Sequence, residues 1–156
     1  MPVREYQASD EEALRACVIQ LQDVEREIFP KTADGRTVAK PYIDYLLAIC
    51  RANRGRVLVA EQSGQVVGYS AYQIWDNAEE VHEEAYEFGY ISDLIVLDTH
   101  RGKGFGRALL DAAQSLVKAE GIELVRIGVL AGNGSVRRLY ANCGFDEHKI
   151  VFEKRL

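Results

Sequence analysis

Apolar residues recur at Leu14, Cys17, Val18, Leu21, Val24 and Ile28, the spacing of one helical face. Ser9 followed three residues later by Glu12 predicts a capping box at the start of this helix, and Pro30 predicts its end. A short strand is predicted before it, over Val3 to Gln7, and a second helix after it, over Tyr42 to Ala52. Between the two helices, Thr32 to Lys40 reads as a turn around Asp34-Gly35. From Val57 the period changes. Val57 to Ala60 and Val66 to Ile74 are β-rich runs joined through Ser63-Gly64, which predicts a hairpin. An acidic connector (Glu79, Glu80, Glu83, Glu84, Glu87) leads to the strongest strand candidate, Tyr90 to Leu97. Phe105 to Ala119 predicts an amphipathic helix with Leu109, Leu110, Ala113, Leu116 and Val117 inward, stopped by Gly121. A strand over Leu124 to Leu130, a short helix over Val136 to Asn142 and a last strand over Ile150 to Glu153 complete the series. With no repeat, linker or low-complexity tract, residues 1–156 are expected to form a single mixed α/β domain.

The composition narrows the classes. A hydrophobic fraction of 47% suits one globular core, and no apolar run approaches the roughly 20 residues of a membrane span. The opening Met-Pro-Val-Arg-Glu-Tyr shows no basic segment followed by an apolar one, so a cytoplasmic protein is expected, with no membrane partner. Three scattered cysteines (Cys17, Cys50, Cys143) form no CxxC pair, and His82 and His100 have no ligand partners at metal-binding spacing, so no metal is expected. The formal net charge of −5 argues against nucleic acid and tolerates a cationic substrate.

Candidate chemistry concentrates in Arg101-Gly102-Lys103-Gly104-Phe105-Gly106-Arg107, between a predicted strand and a predicted helix. Three glycines in five residues let backbone approach a ligand closely, and the free N–H groups of a helix start attract anions. Arg101, Lys103 and Arg107 add positive charge, so a phosphate ligand is expected. A nucleoside-triphosphate loop would need GxxxxGK before Ser or Thr, which is absent. A dinucleotide fingerprint starting at Gly102 would need glycine where Arg107 stands. Both fail on spacing.

The loop resembles the (Arg/Gln)-x-x-Gly-x-(Gly/Ala) motif of the GCN5-related N-acetyltransferase (GNAT) superfamily, here Arg101, Gly104 and Gly106. Leu94-Ile95-Val96 stands where that family bonds the pantetheine arm of coenzyme A through its backbone. Asn133, seven residues before Tyr140, and Leu139-Tyr140-Ala141-Asn142-Cys143-Gly144-Phe145 resemble the family's Leu-Tyr-x-x-x-Gly-Phe segment. The resemblance covers residues 56 to 152 well and the first 55 in general layout only. It implies a strongly twisted mixed sheet flanked by helices, the acyl-CoA N-acyltransferase-like fold. It also implies acetyl-CoA as cosubstrate and transfer of an acetyl group to a primary amine through a tetrahedral intermediate.

By the same resemblance, the backbone from Arg101 through Gly102, Lys103, Gly104, Phe105 and Gly106 holds the pyrophosphate, with charge from Arg107. Leu94, Ile95 and Val96 bind the arm, the Val96 N–H serves the oxyanion, and Asn133 lies near the coenzyme. Tyr140 is the implied proton donor to the leaving thiolate. The base is less legible. Relatives with a glutamate five residues before the asparagine have no counterpart, because that position is Gly128, and a second family glutamate is replaced by Ser92. Asp93 and Glu87 are the remaining candidates. The acceptor is expected to be a small-molecule or peptide amine walled by the opening helices, with Tyr42, Tyr45 and Trp75 as candidate lining. Two alternatives stay open: a coenzyme-binding sensor module weak in catalysis, and a protein N-terminal or lysine acetyltransferase. A homodimer is an assembly the sequence leaves open.

Overall fold

The computed structural model describes residues 2–156. Five strands form one sheet in the order β1 (Val3–Glu5), β2 (Arg56–Gln62), β3 (Gln65–Asp76), β4 (Glu87–Val96) and β5 (Val125–Ile127). The first four pair antiparallel; β5 alone runs parallel to β4, after a crossover. Helices α1 (Glu11–Ile28) and α2 (Gly35–Ala52) cover one face, and α3 (Phe105–Ala119) with α4 (Gly134–Asn142) covers the other.

Strands buried on both faces carry apolar side chains in both directions. In β2, Val57 and Val59 join Leu14, Cys17, Ile43 and Leu46 beneath α1 and α2, while Leu58 and Ala60 join Leu109, Leu110 and Ala113 beneath α3. The alternation breaks in β4. Ile91 packs with the α3 core, yet Ile95, an even number of residues on, packs with the α1/α2 core. The register shift that allows this falls between Ala71 and Tyr72 of β3, where Ser92 is the extra residue of β4. Such a bulge re-aims the side chains that follow it. Here it turns Asp93 toward α2.

Three expectations need correction. The capping box is Gln7 with Asp10, because residues 8–10 form a 3-10 turn that carries Ser9 inside it. The second helix starts at Gly35 rather than Tyr42, because the Asp34 carboxylate caps it by accepting from the Arg36 N–H at 2.9 Å, and Pro41 sits inside the helix. No strand forms over Ile150 to Glu153: residues 145–156 join no helix or strand, and the sheet ends at β5. No described helix is long and apolar enough to cross a membrane.

Candidate functional site

β4 and β5 pair only over Gly89–Ile91 with Val125–Ile127 and then part. Beyond that point β4 still pairs with β3 through Val96, opposite Gly68, but no strand lies on its outer edge. The gap is a cleft of about 50 Å³ lined by Ser92, Asp93 and Leu94 of β4, residues 127–130 continuing β5, Asn133, Val136 and Tyr140 of α4, and Leu21 and Glu25 of α1.

The glycine-rich loop closes one end of this gap. Gly104 takes the left-handed conformation (φ 88°) as N-cap of α3, without any side-chain capping bond. The first i→i−4 bond of the helix is donated by the Ala108 N–H to the Gly104 carbonyl at 3.0 Å. The N–H groups of Phe105, Gly106 and Arg107 therefore face outward as unmet donors. A Cβ on Gly106 would stand 3.2 Å from Leu139 and 3.9 Å from Val96, so glycine there lets α3, α4 and β4 converge. The loop is braced by its own cations: Arg101 Nε donates to the Val96 carbonyl (3.0 Å), Lys103 Nζ to the Thr99 carbonyl (3.2 Å), and Arg107 to the Asn142 carbonyl (2.9 Å). These contacts order the loop and concentrate positive charge at its mouth.

Tyr140 projects from α4 into the cleft and is 8% exposed. Burial, reinforced by the charge of Glu25, pushes its hydroxyl well above the ordinary phenol range, so it stays protonated. The Asn133 carboxamide caps α4, accepting from the Val136 N–H at 3.4 Å, and lines the same cleft.

The two sequence-derived carboxylates have different fates. Asp93 is buried, and its oxygens accept from the Tyr42 and Tyr69 hydroxyls, each at 2.7 Å. Desolvation raises its pKa despite these bonds. Glu87 lies at the opposite end of β4, exposed and paired with Arg54, so the fold does not bring it to the cleft.

Glu25, which sequence reasoning missed, does reach the cleft. Its pKa is raised by burial first and by the Asp93 charge second. The sequence held one signal: Leu21, Glu25 and Ile28 follow the i, i+4, i+7 spacing of the inward stripe, so one acid stands among apolar positions.

A second pocket of about 280 Å³ adjoins the cleft and shares Ser92 with it. Tyr42, Tyr45, Trp75 and Tyr90 line it, with Leu46, Ile49 and Gln73, and no formal charge faces it. Three of these aromatics are the wall residues expected from the sequence. The acidic connector is folded on itself by Asn77, whose side-chain amide donates to the Glu84 carbonyl and accepts from the Tyr86 N–H, both at 2.8 Å.

A sheet split between its fourth and fifth strands, with a glycine-lined helix start at the split, is the acyl-CoA N-acyltransferase-like architecture. The chain belongs to the acetyltransferase (GNAT) family, whose profile matches residues 18–145. It is 32% identical over 83 residues to the N-acetyltransferase YycN of Bacillus subtilis, covering 53% of this chain and 52% of that protein. It is 31% identical over 98 residues to an L-methionine sulfoximine/L-methionine sulfone acetyltransferase of Pseudomonas aeruginosa, covering 62% and 54%. The chain thus spans about half the length of these curated relatives. Among solved structures, the BH1408 protein of Bacillus halodurans superposes with a TM-score of 0.82 at 23% identity, covering 100% and 99% of the two chains. The aminoglycoside N-acetyltransferase AAC(6')-Iy in complex with CoA superposes with a TM-score of 0.71 at 17% identity, covering 99% of each.

Proposed function

We propose that the chain is an acetyl-CoA-dependent N-acetyltransferase acting on a small cationic primary amine. The observation that carries this reading is the convergence, at one split in the sheet, of an edge that no strand covers, an uncapped helix start and a protonated tyrosine. The residues present fit the coenzyme. The N–H groups of Phe105, Gly106 and Arg107 suit a diphosphate, and the outer edge of Leu94 to Val96, which no strand covers, suits an extended amide-bearing arm that pairs like a strand. When bound, acetyl-CoA supplies an activated acetyl thioester.

The chain's own groups do the rest. Glu25 takes the proton that an alkylammonium, titrating near 10.4 when free, must lose before it can attack. Its raised pKa brings its basicity nearer to neutrality than that of an ordinary carboxylate. The Val96 N–H donates to oxygen that gains negative charge, and the Tyr140 hydroxyl donates to the departing sulfur. Asp93 positions Tyr42 and Tyr69 and lends negative potential behind the aromatic pocket. The absent glutamate at Gly128 therefore does not point to a module without catalysis: a carboxylate from α1 faces the same cleft.

The aromatic pocket is the acceptor site in this reading. Ring faces attract an ammonium group, and an uncharged lining offers no partner to an acceptor carboxylate. Trp75→Ala is expected to raise the acceptor KM about two- to thirtyfold with little change in kcat, the equivalent of the roughly 0.5–2 kcal/mol of a cation–π contact. Steady-state kinetics on the best amine checks it.

The central test is thiol release from acetyl-CoA across a library of amines and peptides. Turnover with small cationic amines supports the proposal. Exclusive turnover of peptides would move the assignment to a protein acetyltransferase, and coenzyme binding without turnover would leave a sensor. The cradle has its own test. Gly104→Val places a branched side chain at φ 88° on the helix start and is expected to raise the Kd for acetyl-CoA tenfold or more, about 1.4 kcal/mol. Calorimetry beside an unchanged far-UV circular dichroism spectrum reads it out.

A further inference from the structure

Gln73 lines the aromatic pocket yet is only 2% exposed, a buried amide among rings and aliphatic side chains. Its side-chain nitrogen donates twice, to Cys50 Sγ at 3.2 Å and to Ser92 Oγ at 3.1 Å. Which end of the amide is the nitrogen follows from those partners. The Cys50 thiol donates to the Arg56 carbonyl at 3.8 Å, and the Ser92 hydroxyl to the Ala71 carbonyl at 3.5 Å. Both have spent their own protons and can only accept, so the NH2 end faces them.

The other end of the amide, the carbonyl oxygen, has no partner within the chain among the described residues. It is not sealed in the core either, because the one fully enclosed side-chain polar atom without a partner among the described residues is Ser70 Oγ. The Gln73 oxygen therefore opens on the pocket that its residue lines. Buried polar groups are nearly always met, and an unmet one is costly. The neighbouring hydroxyl of Tyr42 does not meet it, since both oxygens of Asp93 take its proton, at 2.7 and 2.9 Å. A donor must come from the molecule that fills the pocket. At about 280 Å³ the pocket falls just short of the roughly 300–1,000 Å³ of sites for drug-sized ligands, so it suits a short chain. It meets the catalytic cleft at Ser92, so such a chain can set its amine in the cleft and pass its body along Gln73.

Resting on the reading of this pocket as the acceptor site, we propose that Gln73 is a specificity-determining residue whose carbonyl oxygen accepts from a second N–H or O–H group of the acceptor. The substrate is then a short difunctional amine rather than a simple alkylamine. The rings hold its chain, and Gln73 reads its second group. An alkylamine of equal length fills the same space but leaves the buried oxygen unmet, the kind of discrimination that hydrogen-bonding sites achieve best.

Thiol release from acetyl-CoA tests this with ω-amino alcohols from propanolamine to hexanolamine, their methyl ethers, n-alkylamines of equal length and the matching α,ω-diamines. The parent enzyme is expected to show a kcat/KM about 10- to 100-fold higher for the better difunctional series than for alkylamines. Whichever series leads identifies the second group as hydroxyl or ammonium. The ethers keep the oxygen and lose the proton, so they should fall to the alkylamine level. Gln73→Met keeps the length of the side chain and removes its oxygen, and should erase the preference, whereas a variant merely damaged in packing lowers every series alike. Equal release from all series, ethers as good as their alcohols, or a Gln73→Met enzyme that keeps the parent ratio overturns the inference and leaves the acetyltransferase reading standing. Release with no amine at all sinks that reading, and this inference with it.

Discussion

Tyr140→Phe is expected to lower kcat by about 10²- to 10⁴-fold, the range that one general acid contributes, while leaving the affinity for acetyl-CoA unchanged. The substitution removes one oxygen and keeps the ring. The packing of that ring on Phe145 and in the α3 core survives, so the fold has no reason to change. The hydroxyl is suited to donation because burial and the neighbouring Glu25 charge both oppose its ionisation, which keeps the proton in place across the neutral range. Stopped-flow or steady-state thiol release, paired with calorimetry for the coenzyme, separates the two quantities. A kcat near that of the parent enzyme would remove Tyr140 from the mechanism. A parallel loss of coenzyme affinity would assign it to binding instead.

The parts of this molecule that were legible in the sequence are those where local pattern and tertiary role agree. The hairpin of β2 and β3 follows from two β-rich runs around Ser63-Gly64, and α3 begins and ends at Phe105 and Ala119 because its apolar stripe and the flanking glycines all point one way. Other parts were hidden where a local signal is overruled. Thr32 to Lys40 reads as a turn around Asp34-Gly35, yet Asp34 caps the helix and Pro41 is accommodated inside it, so α2 runs 18 residues. The bulge at Ser92 has no marker in composition, since it arises from how β3 and β4 share residues, and it alone decides that Asp93 faces α2.

The site divides along the same line. The phosphate cradle is contiguous in sequence and its chemistry is carried by backbone, so Gly102, Gly104 and Gly106 announce it. The cleft is assembled from α1, β4, the continuation of β5 and α4, which no spacing rule connects. Glu87 was a reasonable candidate by its closeness in sequence to Asp93. Ten residues of extended strand place it instead at the far end of β4, beside Arg54. The last strand presents the reverse case: Ile150 to Glu153 has the composition of a strand and joins no sheet.

Glu25→Gln is expected to lower kcat by about 10²- to 10⁴-fold and, more diagnostically, to erase the acidic limb of the pH–rate profile. A base works only when deprotonated. Below its pKa Glu25 is neutral and turnover falls; above it the carboxylate is free and turnover reaches its plateau. Burial and the nearby Asp93 charge raise that pKa, so the limb should fall above the range of an ordinary carboxylate, near 4.3. Tyr140 contributes no loss at neutral pH, because its own shift is upward and its active form is the protonated one. Asp93→Asn separates the two carboxylates: removing its charge while Glu25 remains should shift the limb to lower pH without abolishing it. A Glu25→Gln enzyme that keeps both its rate and its acidic limb would exclude Glu25 as the base. The proton would then have to leave through Asp93, and the Asp93→Asn enzyme, rather than Glu25→Gln, would be the one to lose its limb.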